Sequence, residues 1–218
     1  MSALRGVIFD LDGTLVDTPR AIVDTCRAAT LRPDASEALV RAAIGLPLEV
    51  ALARVLGLET SAAEVQVAVE RYRVIWRAEV GPRLHGLVFP GVREGLVELR
   101  ARRLRLGVAT GKNQAGADHS IDEAGLRASI DVVAGHDRVA RPKPHGDLAL
   151  FVLGALGLEA HQAVVVGDSA LDLEMARGAG LRSIAVTYGA QSEDELRAAG
   201  PTRVARSFAE VVAALESL

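Results

Sequence analysis

The chain has 218 residues, of which 50% are apolar and only 3% aromatic, and its 25 basic and 28 acidic residues give a formal net charge of −3. This length allows one domain with a large core, or a core with a smaller insert. The charge balance predicts neither a nucleic-acid partner nor binding to an anionic membrane. We also find no signal-peptide pattern and no apolar run near the roughly 20 residues that span a bilayer, so we expect a cytoplasmic protein. The sequence leaves open whether it is a monomer or a homodimer.

An apolar segment that ends in two carboxylates opens the chain. Residues 7–9 are short, β-branched and aromatic, which is typical of a buried strand. Asp10 and Asp12 follow, and Gly13 permits a sharp change of direction. Side chains two residues apart on an extended strand point the same way, so we expect both carboxylates to project from the carboxyl edge of this strand. An ordinary turn at the end of a strand is the alternative.

Residues 16–84 carry helical patterns and no strand pattern, and we expect them to form a helical cap inserted after the first strand. Thr18 and Pro19 predict the start of the first helix, with Thr18 as its N-cap. Tyr72 and Trp76 are expected to pack inside the cap, and the lone cysteine, Cys26, to be a small buried apolar residue. Further helices are predicted over 36–44, 48–56 and 62–79, with a return linker over 80–86.

Strand and helix patterns alternate from residue 89 to the end. Strands are predicted over 105–110, 130–134, 163–167, 182–186 and 203–205, and helices over 91–102, 114–124, 145–156, 171–179, 192–199 and 208–218. This alternation predicts a doubly wound parallel α/β sheet. We therefore assign residues 1–15 and 85–218 to the α/β core and residues 16–84 to the cap.

Acidic side chains recur at the carboxyl ends of the predicted strands, all of which open on one side of a parallel sheet. Two unit charges about 4 Å apart repel by about 4 kcal/mol at an effective dielectric near 20, so such a cluster must bind a cation or stay partly protonated. Oxygen ligands with room for water favour Mg²⁺. The candidate metal ligands are Asp10, Asp12, Asp168 and Asp172.

Groups suited to binding phosphate accompany this cluster. A metal, the Lys143 ammonium and the Thr110 hydroxyl would bind a doubly charged anion. The main-chain amides from Leu11 to Gly13 and that of Gly111 could complete the site. Lys112, one turn away, could also contact substrate.

Within such a site, one carboxylate beside the bound phosphorus can act as a nucleophile and form an aspartyl-phosphate. Asp10, on the rigid strand, suits this role, and Asp12, on the turn, suits general acid and base catalysis. Structural alternatives stay open: Thr110 as the cap of the next helix, Asp172 in a capping box with Ser169, and Lys112 as a solvated lysine.

These residues resemble the four motifs of the haloacid dehalogenase-like (HAD) superfamily: residues 10–18 (Asp-Leu-Asp-Gly-Thr-Leu-Val-Asp-Thr), Thr110, Lys143 and residues 167–172 (Gly-Asp-Ser-x-x-Asp). The resemblance implies a Rossmann-like core and a Mg²⁺-dependent phosphatase. It implies Asp10 as the nucleophile, Asp12 as the acid and base, and Thr110 and Lys143 as phosphoryl-binding groups. It also implies metal binding by Asp10, the main-chain carbonyl of Asp12, Asp168 and, through water, Asp172.

The helical insert is similar to the cap of the phosphoglycolate phosphatase and β-phosphoglucomutase branch, which implies a small, phosphoglycolate-like substrate. A sugar-phosphate mutase, a pyrophosphatase and a non-enzymatic phosphate sensor are the alternatives. Asp12 argues against a dehalogenase, and the lack of any lysine before Lys112 argues against Schiff-base chemistry in the cap. Roles for Arg20 and His145 at the pocket stay open.

Overall fold

The computed structural model describes residues 4–218 and contains a six-stranded parallel sheet. Its strands are β1 (Gly6–Phe9), β2 (Arg105–Ala109), β3 (Val132–Ala134), β4 (Ala163–Gly167), β5 (Arg182–Val186) and β6 (Arg203–Ala205). The strand order is β3-β2-β1-β4-β5-β6, and every neighbouring pair is parallel. The chain adds β2 and β3 on one side of β1 and the later strands on the other, so the strand order reverses beside β1, where ligands bind in open α/β sheets. The predicted doubly wound fold is confirmed.

Four helices between β1 and β2 form the helical insert: α1 (Pro19–Thr30), α2 (Glu37–Arg41), α3 (Leu48–Leu56) and α4 (Ala63–Ile75). Pro19 occupies the first turn of α1, where its missing N–H costs no hydrogen bond. Gly57, at φ 70°, ends α3 in the left-handed conformation that glycine adopts most readily. Cys26 is buried, as expected.

The last predicted helix of the insert differs from the observed backbone. Regular α-helix stops at Ile75, a π-helical turn covers Trp76–Val80, and a 3₁₀-helix over Gly81–Leu87 replaces the predicted linker. The chain then rejoins the sheet beside its exit point, where Val16 forms an antiparallel bridge with Val88. The two crossings between insert and sheet therefore lie side by side.

Six helices alternate with the remaining strands: α5 (Val92–Ala101), α6 (Gln114–Glu123), α7 (Asp147–Leu156), α8 (Ala170–Gly178), α9 (Glu193–Ala198) and α10 (Phe208–Ala214). They cover both faces of the sheet, because Val164 and Val166 pack in one core cluster while Val165 packs in the other. Most helix ends agree with the prediction to within two residues. The third strand is shorter than predicted because a 3₁₀ turn over Arg127–Ser129 runs almost to its start.

Candidate active site

A buried ion-paired cluster lies at the carboxyl end of β1. The Lys143 ammonium donates to the Asp10 carboxylate over 2.7 Å and to the Asp172 carboxylate over 2.6 Å. All three side chains are at most 3% exposed. Residues that are far apart in the sequence therefore converge because β1, the loop before α7 and the first turn of α8 open on the same edge.

Burial sets the proton affinities in this cluster. Burial raises the pKa of Asp10 from 3.8 to about 7. The Lys143 ammonium lowers this pKa in part, and the Asp172 carboxylate raises it further. Burial alone would lower the pKa of Lys143, but the two carboxylates outweigh it and hold the pKa above its usual value. Lys143 therefore stays charged, and it favours the ionised form of Asp10.

Asp168, at the end of β4, completes the cluster of buried carboxylates. It accepts hydrogen bonds from the Thr14 hydroxyl (3.0 Å) and the Ala190 amide (2.7 Å). Gly13 and Gly189 pack so closely on this carboxylate that a Cβ at either position would overlap it. Burial, with Asp10 and Asp172 nearby, raises the pKa of Asp168 well above its usual value.

The three carboxylates are arranged as a metal site requires. Asp10, Asp168 and Asp172 each offer one oxygen, and these oxygens lie within 4.8 Å of one another. Three carboxylates facing one ammonium leave an excess of two negative charges when all are ionised, which a divalent cation would neutralise. An all-oxygen ligand set of this kind fits a hard cation. This cluster could therefore hold a metal ion.

The Asp12 carboxylate lines the same cavity as Asp10 but lies outside the cluster of three carboxylates, although the sequence made it a candidate metal ligand. Its oxygens accept from the Thr18 hydroxyl (2.7 Å) and pair with the Lys112 ammonium (2.9 Å), and its carboxylate is not part of the three-residue cluster. The reason is that β1 ends at Phe9 and the chain turns through Gly13 at φ 84°, so the alternation of an extended strand no longer applies. The Thr18 hydroxyl donates its hydrogen bond to Asp12, and the Thr18 side chain makes no capping hydrogen bond to α1.

Lys112 is built into the site and is not a solvated lysine. Its ammonium lies 2.9 Å from the Asp12 carboxylate and 4.1 Å from the centroid of the Trp76 ring, which belongs to the helical insert. The chain has only two lysines, and both contact aspartates of the first motif. Lys112 therefore links the sheet edge to the insert through an ion pair and a cation–π contact.

The three remaining candidates for phosphate binding, Thr110, Gly13 and Gly111, have different outcomes. Thr110 is buried beside the cavity, and the cap of α6 is Asn113, so Thr110 is not the helix cap. The prediction of a free Gly13 amide is contradicted, because that amide donates to the Val16 carbonyl over 2.8 Å. Gly111 lines the cavity, where a side chain would overlap the main chain of Gly45 in the insert.

Asp172 forms the capping box with Ser169 that the sequence offered as one alternative, and it also belongs to the cluster that could hold a metal ion. One of its oxygens accepts from the Ser169 amide (3.1 Å) and hydroxyl (2.6 Å) at the start of α8, and the other accepts from Lys143. The capping contact fixes the rotamer of Asp172, so that its second oxygen faces the cluster.

A cavity of about 400 Å³ lies between the sheet edge and the insert. Asp10, Asp12, Thr110 and Lys112 line one side, and apolar residues of α1, α3 and α4 line the other. Trp76, which the sequence placed inside the cap, is buried against Tyr72 and also lines this cavity.

Two residues that the sequence suggested for the pocket lie outside the cavity, and several residues that line it were not predicted. Arg20 is exposed, pairs with Asp24 over 3.1 Å and does not line the cavity, and His145 is also exposed and outside it. The missed lining residues include Glu49, Arg73, Arg77, His119 and His136. No local spacing pattern identifies them, because they come from separate elements that meet only in the folded protein.

The fold and the site define an α/β protein with a charged pocket at the carboxyl edge of its sheet, beneath a helical insert. A family model described as haloacid dehalogenase-like hydrolase matches residues 7–186. A relative from Dickeya dadantii named "Probable phosphatase IndB" is 44% identical over 97% of this chain and 94% of its own. A phosphoglycolate phosphatase from Pectobacterium atrosepticum is 32% identical over 97% of this chain and 92% of its own.

Solved structures agree on the fold. A "predicted phosphatase" from Clostridium acetobutylicum superposes with a TM-score of 0.86 over 100% of both chains at 24% identity. The chain belongs to the haloacid dehalogenase-like hydrolase family, and the expectation of a hydrolase of the phosphatase type is confirmed at the level of the family and these relatives. In residues 4–218, no helix is both long and apolar enough to cross a membrane.

Proposed function

We propose that the protein is a Mg²⁺-dependent phosphatase that hydrolyses a small phosphorylated metabolite in the cytoplasm through an aspartyl-phosphate on Asp10. The observation that carries this proposal is the buried contact of Asp10 with Lys143, 2.7 Å long, at the end of the central strand. This contact favours the ionised form of the carboxylate and fixes its orientation, as a nucleophile requires. In this proposal the same lysine would also bind a phosphoryl oxygen.

In this proposal Asp12 transfers the protons. It would protonate the leaving oxygen, and its carboxylate would then take a proton from the water that attacks the phosphorylated Asp10. The Thr18 hydroxyl and the Lys112 ammonium hold the Asp12 carboxylate at the wall of the cavity. The Thr110 hydroxyl, on the same wall, would bind a phosphoryl oxygen.

The carboxylates of Asp10, Asp168 and Asp172 and the main-chain carbonyl of Asp12 would hold Mg²⁺. When bound, the metal would neutralise the excess negative charge of the site and of the phosphate. The insert would limit the access of water to the pocket. Phosphoglycolate, named for several relatives, is the first metabolite to test.

The test is turnover of p-nitrophenyl phosphate with Mg²⁺ and with a chelator. We expect activity that requires Mg²⁺ and that Asp10→Asn abolishes. Asp34→Asn is the matched control, because Asp34 is exposed and outside the cavity, and it should keep wild-type activity. Undiminished activity of Asp10→Asn would refute the assignment.

A further inference from the structure

The cavity beyond the phosphate end is larger and more apolar than a two-carbon acid needs. Its volume of about 400 Å³ falls in the range of about 300–1,000 Å³ that is typical of pockets for drug-sized ligands. Side chains from three parts of the insert form its far wall: Ile44, Leu48, Leu52, Val55, Tyr72 and Trp76. A phosphorylated two-carbon chain would leave most of this wall without contact.

The charged side chains in the cavity offer little to a carboxylate on the substrate. Arg73 already contacts Glu49 over 3.0 Å and Glu70 over 2.6 Å, and Lys112 is paired with Asp12. Within residues 4–218, Arg77 is the lining arginine that has no carboxylate partner, but it is exposed, where water screens an ion pair and leaves it weak.

We infer that this cavity selects phosphomonoesters whose leaving group is apolar and at least the size of an aromatic ring, in preference to short chains that carry a carboxylate. The inference rests on the proposed phosphatase function and specifies its substrate class. Apolar contact with the far wall would supply the selectivity, since each apolar group that enters such a pocket changes kcat/KM by about tenfold or more.

The experiment compares three esters whose leaving groups are all alkoxides, so that intrinsic reactivity is similar. Benzyl phosphate tests apolar contact, phosphoglycolate tests recognition of a carboxylate, and ethyl phosphate is the small neutral reference. With Mg²⁺ present, we expect kcat/KM for benzyl phosphate to exceed that for ethyl phosphate by about tenfold or more, and phosphoglycolate to gain nothing over ethyl phosphate.

A binding measurement gives a readout that does not depend on turnover. Trp76 is the only tryptophan of the chain and lines the cavity, so its fluorescence reports a ligand there. Titration with benzylphosphonate, ethylphosphonate and phosphonoacetate should give the tightest binding for benzylphosphonate, again by about tenfold.

A matched pair of variants on α3 tests the far wall. Leu48 and Leu56 are both half-buried against the same core, but only Leu48 lines the cavity. Leu48→Gln should lower the benzyl-to-ethyl ratio of kcat/KM by about tenfold, whereas Leu56→Gln should leave that ratio unchanged.

The outcomes separate the inference from the proposed function. If phosphoglycolate and phosphonoacetate are preferred, the phosphatase assignment stands and the inference is overturned. An equal effect of Leu48→Gln and Leu56→Gln on the ratio also overturns it. If no ester is hydrolysed and no phosphonate binds, the proposed function itself is wrong.

Discussion

Removal of the Lys143 ammonium is the sharpest perturbation of the buried cluster. Lys143→Met keeps an unbranched side chain, one atom shorter, and deletes its charge. Both carboxylates that contact the ammonium, those of Asp10 and Asp172, stay buried. Loss of one partner from a buried pair costs about 3–5 kcal/mol, because the remaining charge has neither water nor a counter-ion. We therefore expect the free energy of unfolding near pH 8, without metal, to fall by about 3–5 kcal/mol.

The assay is urea unfolding in a chelating buffer, with Lys112→Met as the control. Lys112 is the other lysine of the chain, and its side chain is 16% exposed, so its loss should cost about 1–2 kcal/mol, between the values for surface and buried pairs. Mg²⁺ should restore part of the stability lost in Lys143→Met, because it binds the folded protein at the same carboxylates. A loss below about 1 kcal/mol for Lys143→Met would refute the claim that the ammonium balances buried negative charge.

The remaining predictions concern pH and two glycines. Burial raises the pKa of Asp10 from 3.8 to about 7, so between these values the folded protein holds a proton that the unfolded chain has released. Without metal, the free energy of unfolding should therefore fall as pH rises from about 4 to about 7, and the raised pKa of Asp168 acts in the same direction. Mg²⁺ should reverse this fall. A free energy of unfolding that does not change with pH in a chelating buffer would contradict the prediction. Gly111→Ala should lower kcat/KM for p-nitrophenyl phosphate by about ten- to a hundredfold, because the new Cβ would overlap the main chain of Gly45 and displace the insert. An unchanged kcat/KM would contradict that contact. Gly154→Ala lies in α7, where the new Cβ would contact nothing outside the backbone of its own helix. It should keep that activity and raise the free energy of unfolding by about 0.5–1 kcal/mol, as chemical denaturation would show.

The strand positions and the Asp10 cluster were predictable because their signals are local. An apolar run such as Val164–Val166 indicates a buried strand, and parallel strands bring their carboxyl ends to one edge whatever the sequence between them. Asp10, Lys143, Asp168 and Asp172 therefore meet as the order of motifs suggested.

The contacts of Asp12 and the position of Trp76 at the cavity were not predictable by the same means. The chain bends from Leu11 onward, so the alternation of an extended strand does not give the contacts of Asp12. No local pattern shows that Lys112 will lie over an indole ring of the insert. The π-helical turn at Trp76–Val80 could not be predicted either, because the apolar spacing of α4 continues through its residues. Arg20 lies outside the cavity, because closeness in sequence to the first motif does not determine which way a side chain points.

Mass spectrometry of an acid-quenched reaction tests the central claim most directly. Asp12→Asn removes the group that would activate water, and p-nitrophenyl phosphate has a leaving group that needs no proton, so the phosphorylated form should accumulate. We predict one phosphoryl group on the peptide that carries Asp10, and none when Asp10→Asn is added. A phosphoryl group on another residue, or turnover of substrate by the enzyme with Asp10 never modified, would contradict the account.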